Sequence, residues 1–340
     1  MILPQSYFGA LIVLILSLLC LGLWANTYKL AGKLRFELYA IDFAVGLGLA
    51  AFLFAFTMGN LGYDGFSFLD DLMQVHKRQW LDAVGAGVIF NLGNMLLLGS
   101  VSLASLATAF PIALGLGLVI GILLEQISKH NANPLYLGIG CAVILIAIVA
   151  AAIAHNASFA ARQAEVPKTG KKGSRGPSSL KGLVLAMVSG LLFGIAQPLS
   201  NAARTGDVFL GPYSFTFLFG AGFFLSTFVF SLFFMNLPVQ GQPLEVTDVF
   251  KGAASRHLYG FLGGVICCAG MVGILAATAS AAESHVTRGM TTIFSYGGAF
   301  VAGLSGLLFW KECEKRGKGA AFLGLLLFAA GLGLLSMAIS

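Results

Sequence analysis

Tyr39-Ala-Ile-Asp42-Phe-Ala-Val-Gly46-Leu-Gly48 and Tyr213-Ser-Phe-Thr216-Phe-Leu-Phe-Gly220-Ala-Gly222 carry a tyrosine and two glycines at one spacing. The likeness extends outward on both sides. Ser17-x4-Gly22 returns as Ser189-x4-Gly194, Gly87-Val-Ile with Gly93 as Gly264-Val-Ile with Gly270, and Gly121-Ile-Leu-Leu-Glu125 as Gly306-Leu-Leu-Phe-Trp-Lys-Glu312. Self-similarity over half a chain marks a duplicated unit. Each copy holds five apolar stretches near the roughly 20 residues that cross a bilayer. Five is odd, so the second copy lies upside down relative to the first. The fold class expected is therefore an all-α polytopic membrane protein, with ten transmembrane helices as two inverted five-helix repeats. Secondary transporters use this plan, with a substrate site near the midplane between the halves.

Composition agrees. Of 340 residues 58% are apolar, 10% are charged and 44 are glycine, beyond what a soluble core can bury. The spans are expected at 7–26, 38–60, 81–100, 102–124, 135–155, 180–199, 209–235, 258–279, 290–310 and 320–340. The first lacks a basic leader and a small-residue cleavage site and reads as a retained span. Residues 1–155 form the first repeat, 156–179 a basic cytoplasmic linker and 180–340 the second repeat. Gly170-Lys-Lys-Gly-Ser174 in the linker lacks the spacing of a phosphate loop. The loop from Gly62 to Trp80 offers Phe66, Phe68 and Leu72 for a short amphipathic helix at the interface.

The net charge of +6 sits in short loops, so it sets orientation rather than marking a nucleic-acid partner. Loops after odd-numbered spans hold 15 of the 20 Lys and Arg, among them Arg162, Lys168, Lys171, Lys172, Arg175 and Lys181. Both termini are thus expected outside a plasma (inner) membrane, with the central loop cytoplasmic. Asn156-Ala-Ser158 then faces the cytoplasm and is no glycosylation site. The five cysteines and five histidines show neither CxxC spacing nor clustering, so no metal or cofactor is expected.

A charge within a span costs about 2.5–3.5 kcal/mol and asks for a partner or a task. Asp42, whose counterpart in the aligned copy is Thr216, is the first proton-coupling candidate; the alternative is an interfacial pair with Lys33 or Arg35. Glu283, His285 and Arg288 fall in about ten residues that the second copy has gained before its fourth span. They either line a cavity, Glu283 foremost as a second proton-coupling group, or form an exposed turn. The paired amides Asn91 with Asn94 and Gln197 with Asn201 share helix faces at spacings of three and four. Amides both donate and accept, and so can read alternating N–H and C=O groups; they can equally staple helices together. Asn26, Trp24, Tyr213 and Tyr296 complete the expected substrate-binding set, Trp24 as a stacking surface for a planar ligand. Pro111 and Pro198 interrupt spans 4 and 6 and free backbone carbonyls. Glu125 and Glu312, shared by both copies, read as scaffold. No Ser-His-Asp, HExxH or paired-acid spacing suggests an enzyme.

The run Ala104-Ser-Leu-Ala-Thr-Ala-Phe-Pro111 leading to Gly121-Ile-Leu-Leu-Glu125 resembles the drug/metabolite transporter superfamily. Within it, Leu21-Gly-Leu-Trp24, Asp42 ahead of Ala55-Phe-Thr-Met-Gly-Asn-Leu-Gly62, and Leu92-Gly-Asn94 resemble the ureide permeases. That resemblance implies proton-linked uptake of allantoin or of oxo-purines and pyrimidines such as uracil. The chain departs from the pattern at Leu106 to Phe110, where the family's acidic residue is missing, in its central segment and in the insertion before span 9. The residues also fit a sugar-uptake carrier, or an efflux carrier using Asp42 or Glu283 with an aromatic cage. The partners expected are a small polar planar substrate, protons and the bilayer, with the chain a monomer or homodimer.

Overall fold

The computed structural model describes residues 1–32, 34–62, 64–165 and 179–340. Lys33, Lys168, Lys171, Lys172, Arg175 and the Gly170–Ser174 run lie outside the described residues. The helices of the first half are α1 (Tyr7–Leu30), α2 (Phe36–Phe56), α3 (Phe68–Gln74), α4 (Lys77–Leu103), α5 (Leu106–Lys129) and α6 (Pro134–Glu165). Those of the second are α7 (Ser179–Ala203), α8 (Pro212–Asn236), α9 (Ala254–Ala279), α10 (Ala281–Ser284), α11 (Arg288–Tyr296), α12 (Gly298–Leu308) and α13 (Lys315–Ala338). Ten of these stretches are long and apolar enough to cross a membrane, α11 and α12 together making one. The chain is a multi-pass membrane protein, and the described residues are helical throughout their core.

Helix ends follow local chemistry. Ser6, Ser67 and Thr287 accept backbone N–H groups at the starts of α1, α3 and α11, the usual N-cap role of a short hydroxyl side chain. Pro111 and Pro198 are absorbed within α5 and α7 without ending them. The expected interfacial helix is α3, which buries Phe68 and Leu72 while Phe66 stays exposed. Two boundaries move. The residues from Asn156 to Glu165, read from sequence as linker, continue α6, whose Ser158 packs where a side chain on Gly317 would fall. The ninth span is divided at Gly297.

Packing crosses between the halves. α1 lies on α9 and α12, α2 on α8 and α9, α4 on α7 and α8, α5 on α7 and α12, and α6 on α13. Exchanging α1 with α7, α2 with α8, α4 with α9, α5 with α12 and α6 with α13 maps this list onto itself. The tightest crossings repeat likewise. A Cβ added at Gly46 would stand 2.0 Å from the Phe261 carbonyl oxygen, and one at Gly264 2.0 Å from that of Phe43. In the partner crossing, Gly222 meets the Val84 carbonyl oxygen at 2.2 Å and Gly87 that of Phe219 at 2.1 Å. Small residues that admit backbone contact are how helices associate tightly in lipid. These contacts pair Gly46 with Gly222 and Phe43 with Phe219, two residues out of register with the sequence match. Asp42 therefore stands opposite Leu218 rather than Thr216.

Candidate functional site

Between the halves lies a cavity of about 480 Å³, within the range of about 300–1,000 Å³ usual for small-molecule sites. Its walls come from α1, α4, α5, α7, α8, α9 and α11. Leu21, Leu97, Leu114, Met271 and Phe219 make it mainly apolar. Trp24 forms a wall with Phe110 and Phe43, its ring centroid 5.6 Å and 5.0 Å from theirs, and is itself almost fully buried.

A few polar groups break the apolar lining. The side-chain amide of Asn94 is buried and makes no hydrogen bond among the described residues, its Nδ2 being left without a partner. Gln197 Oε1 accepts from the Tyr296 hydroxyl at 2.9 Å, which leaves the Gln197 amide nitrogen without a bond among the described residues. That rotamer needs Gly121, since a Cβ there would stand 1.7 Å from Gln197 Oε1. Asn201 Oδ1 accepts from Arg204 at 3.1 Å. Trp24, Asn94, Gln197, Asn201 and Tyr296 of the expected set thus meet around one space.

The other expected residues stand elsewhere. Asn91 donates to the Phe223 carbonyl and to the hydroxyls of Ser226 and Thr227 at 2.8–3.0 Å, stapling α4 to α8. Asn26 lies outside the cavity and accepts from Trp310 Nε1 at 2.7 Å and Ser305 Oγ at 3.0 Å. Tyr213 donates to the Ile2 carbonyl at 2.7 Å. Asp42 does not line the cavity either. It pairs with His257 Nδ1 of α9 at 2.7 Å, while Arg35 turns to Glu37 at 2.6 Å. Glu283 and His285 are exposed around the end of α10. Of the three charged or titratable residues in the insertion only Arg288 lines the cavity, together with Ala281, Val286 and Thr287.

Four charged residues line the mouth: Glu125, Lys129, Arg204 and Arg288. Glu125, near the C-terminal end of α5, is buried; its Oε1 is 2.8 Å from Lys129 Nζ and its Oε2 contacts Arg288 Nη2. At the other end of α5 stands the glutamate that matches Glu125 in the sequence. Glu312 Oε1 lies 2.5 Å from Lys29 Nζ, and its Oε2 accepts the Ala107 backbone N–H at 3.1 Å, in the first turn of α5. A carboxylate there satisfies an orphan donor and the helix dipole. The two glutamates read as common scaffold therefore do different things. Arg288 was named from sequence as one of two readings; Glu125 and Arg204 were not, because what surrounds them comes from other helices. The signal in the sequence was a charge kept within a span at Glu125 and a basic residue placed against the prevailing loop bias at Arg204.

Among the described residues no three His, Cys, Asp or Glu side chains converge to hold a metal ion. The arrangement suits reversible binding of a small, flat molecule between an aromatic wall and unbonded amides.

Comparison with known proteins agrees with the motifs. The sequence profile of the ureide permease family matches residues 39–175. Ureide permease 2 of Arabidopsis thaliana is 23% identical over 326 residues, covering 78% of this chain and 82% of that protein. Ureide permease 4 of the same plant is 32% identical over 163 residues, covering 45% of this chain and 40% of that one. Probable ureide permease A3 of Vigna unguiculata is 24% identical over 329 residues, covering 78% and 87%. A solved crystal structure shares the fold, with a TM-score of 0.52 at 16% identity over 98% of each chain. In motifs, in sequence over most of its length and in its ten apolar helices, this membrane protein resembles the ureide permeases.

Proposed function

We propose that this protein is a secondary active transporter that takes up ureides or oxo-purine and oxo-pyrimidine nucleobases, such as allantoin and uracil, by proton-coupled alternating access. The observation that carries the reading is the unbonded amide of Asn94 beside Trp24 and Gln197 in the cavity between the halves. A buried amide left open is costly unless a ligand satisfies it, and a ring with alternating N–H and C=O groups does so. Trp24 and Phe110 offer the apolar face. The relatives' names point to the same ligand class.

Residues 1–155 and 180–340 act as inverted repeats, a reading supported by the packing list that is unchanged when the halves are exchanged. Basic loops place both termini outside and the central loop inside a plasma membrane, so the cavity mouth, which lies at the other end from that loop, faces out. Proton coupling is assigned to Asp42 with His257, a carboxylate–imidazole pair between α2 and α9. Histidine is the side chain that ordinarily changes charge near neutral pH. Glu283, exposed and away from the cavity, has no part in this scheme.

The test is uptake of labelled allantoin, uracil and glucose by the full chain in proteoliposomes, with and without an imposed pH gradient. Uptake of the first two, and not glucose, is expected, rising when the outside is acidic. Glucose uptake alone would favour a sugar carrier. Gradient-insensitive uptake would remove the proton, and full gradient-driven uptake by Asp42→Asn would remove Asp42 from the coupling.

A further inference from the structure

The cavity is not electrically balanced. Its lining carries three cations, Lys129, Arg204 and Arg288, against one carboxylate, Glu125. Both oxygens of that carboxylate are taken, one by Lys129 and one by Arg288. Arg204 is left over. It follows the C-terminal end of α7, donates Nε to the Ser200 carbonyl at 3.1 Å and Nη2 to Asn201 Oδ1 at 3.1 Å, and lies 5.2 Å over the Phe215 ring. Its Nη1 makes no hydrogen bond among the described residues. The guanidinium is thus fixed in orientation by two neutral acceptors and a ring face, with one edge free toward the cavity.

Arg204 feels the charge of Glu125 but makes no ion pair with it among the described residues, both oxygens of that carboxylate being held by Lys129 and Arg288. A fixed, partly buried guanidinium of this kind is what sites for carboxylates present, because its fork matches two carboxylate oxygens. Capping of α7 uses only part of its donors, and the single carboxylate Glu125 is shared among three cations. We propose that the cavity's preferred ligand is an anion, a planar cyclic amide or ureide bearing a carboxylate. Arg204 takes the carboxylate at the mouth while Asn94 and Gln197 read the ring deeper in. This rests on the transport reading above and specifies its substrate class.

The experiment uses the purified full chain and two probes that differ by one group: labelled uracil, and its 6-carboxylate, orotate. In the wild type, orotate is expected to displace labelled uracil at about one-tenth the concentration of unlabelled uracil, the effect of one charge-assisted pair in a water-facing site. In Arg204→Gln this ratio falls to about one or below, and Arg204→Lys restores part of it. A role in capping α7 alone would lower the melting temperature of Arg204→Gln and leave the ratio unchanged, which would overturn the proposal. So would a wild-type ratio of one or less, a measurement that needs no variant to fold. Labelled orotate is measured alongside. Binding of orotate without uracil would support the anion and remove the neutral nucleobases from the proposed function; binding of uracil without orotate would do the reverse. Failure of both probes to bind would count against both.

Discussion

The two ends of α5 hold the same kind of residue in opposite circumstances. At its first turn Glu312 is sealed between Lys29 and the Ala107 N–H, with Trp310, Asn26 and Ser305 bonded alongside. At its last turn Glu125 sits at the edge of an open cavity, shared between Lys129 and Arg288. The chemistry of a repeat does not assign a residue its role; the surroundings do. At the first end the carboxylate satisfies a helix end and a lysine. One held by two cations beside an open space keeps a mouth charged.

The comparison breaks most readily at the sealed end. Glu312→Ala leaves a buried helix N–H without its acceptor and the partly exposed Lys29 without its carboxylate, a change that costs about 3 kcal/mol. That end should loosen, and buried Cys313 next to it should become reactive. With Cys313 as the sole cysteine, labelling by a water-soluble maleimide should rise in the variant; unchanged labelling would show that Glu312 does not hold the seal.

One turn before Glu125, Gly121→Val drives a side chain into Gln197 and should expel it from Tyr296. Overpacking of this kind costs about 1–3 kcal/mol. Weaker ligand binding, by roughly tenfold, with helicity retained in circular dichroism, is the expected result; unaltered binding would mean that Gln197 does not read the ligand. At the open end Glu125→Gln should cost about 1 kcal/mol, since its partners can turn to water. The melting temperature in detergent should fall less than for Glu312→Gln, and equal losses would erase the distinction between the ends. The smallest effect is expected for stability of Asp42→Asn, about 0.5 kcal/mol, because the His257 pair is partly exposed on both sides. A large loss of thermal stability there would make the pair a structural one.

Ten spans could be read from the sequence because lipid enforces length and apolarity over every residue of a helix. Trp24, Asn94, Gln197 and Tyr296 were legible for a related reason: a polar group in a span is conspicuous. What such a residue touches is another matter. Asn91 and Asn94 lie three apart, yet one staples α8 and the other faces the cavity, and only the neighbouring helix decides which. Asp42 finds His257 at a sequence separation of 215 residues, beyond any local pattern. The opening match of Tyr39 with Tyr213 is two residues out of structural register, because tyrosine and glycine recur by composition while the crossing is set by where backbone meets backbone.

That crossing has a mechanical consequence. Gly46, Gly264, Gly87 and Gly222 bring main chains together without side chains between them, so at these crossings there is no side chain that could bend aside. Backbone-to-backbone contact of this kind fixes how far apart two rods are. The four glycines set the spacing of two helix pairs, and a larger residue at any of them would have to push a whole helix away, since the atom it meets is a backbone carbonyl.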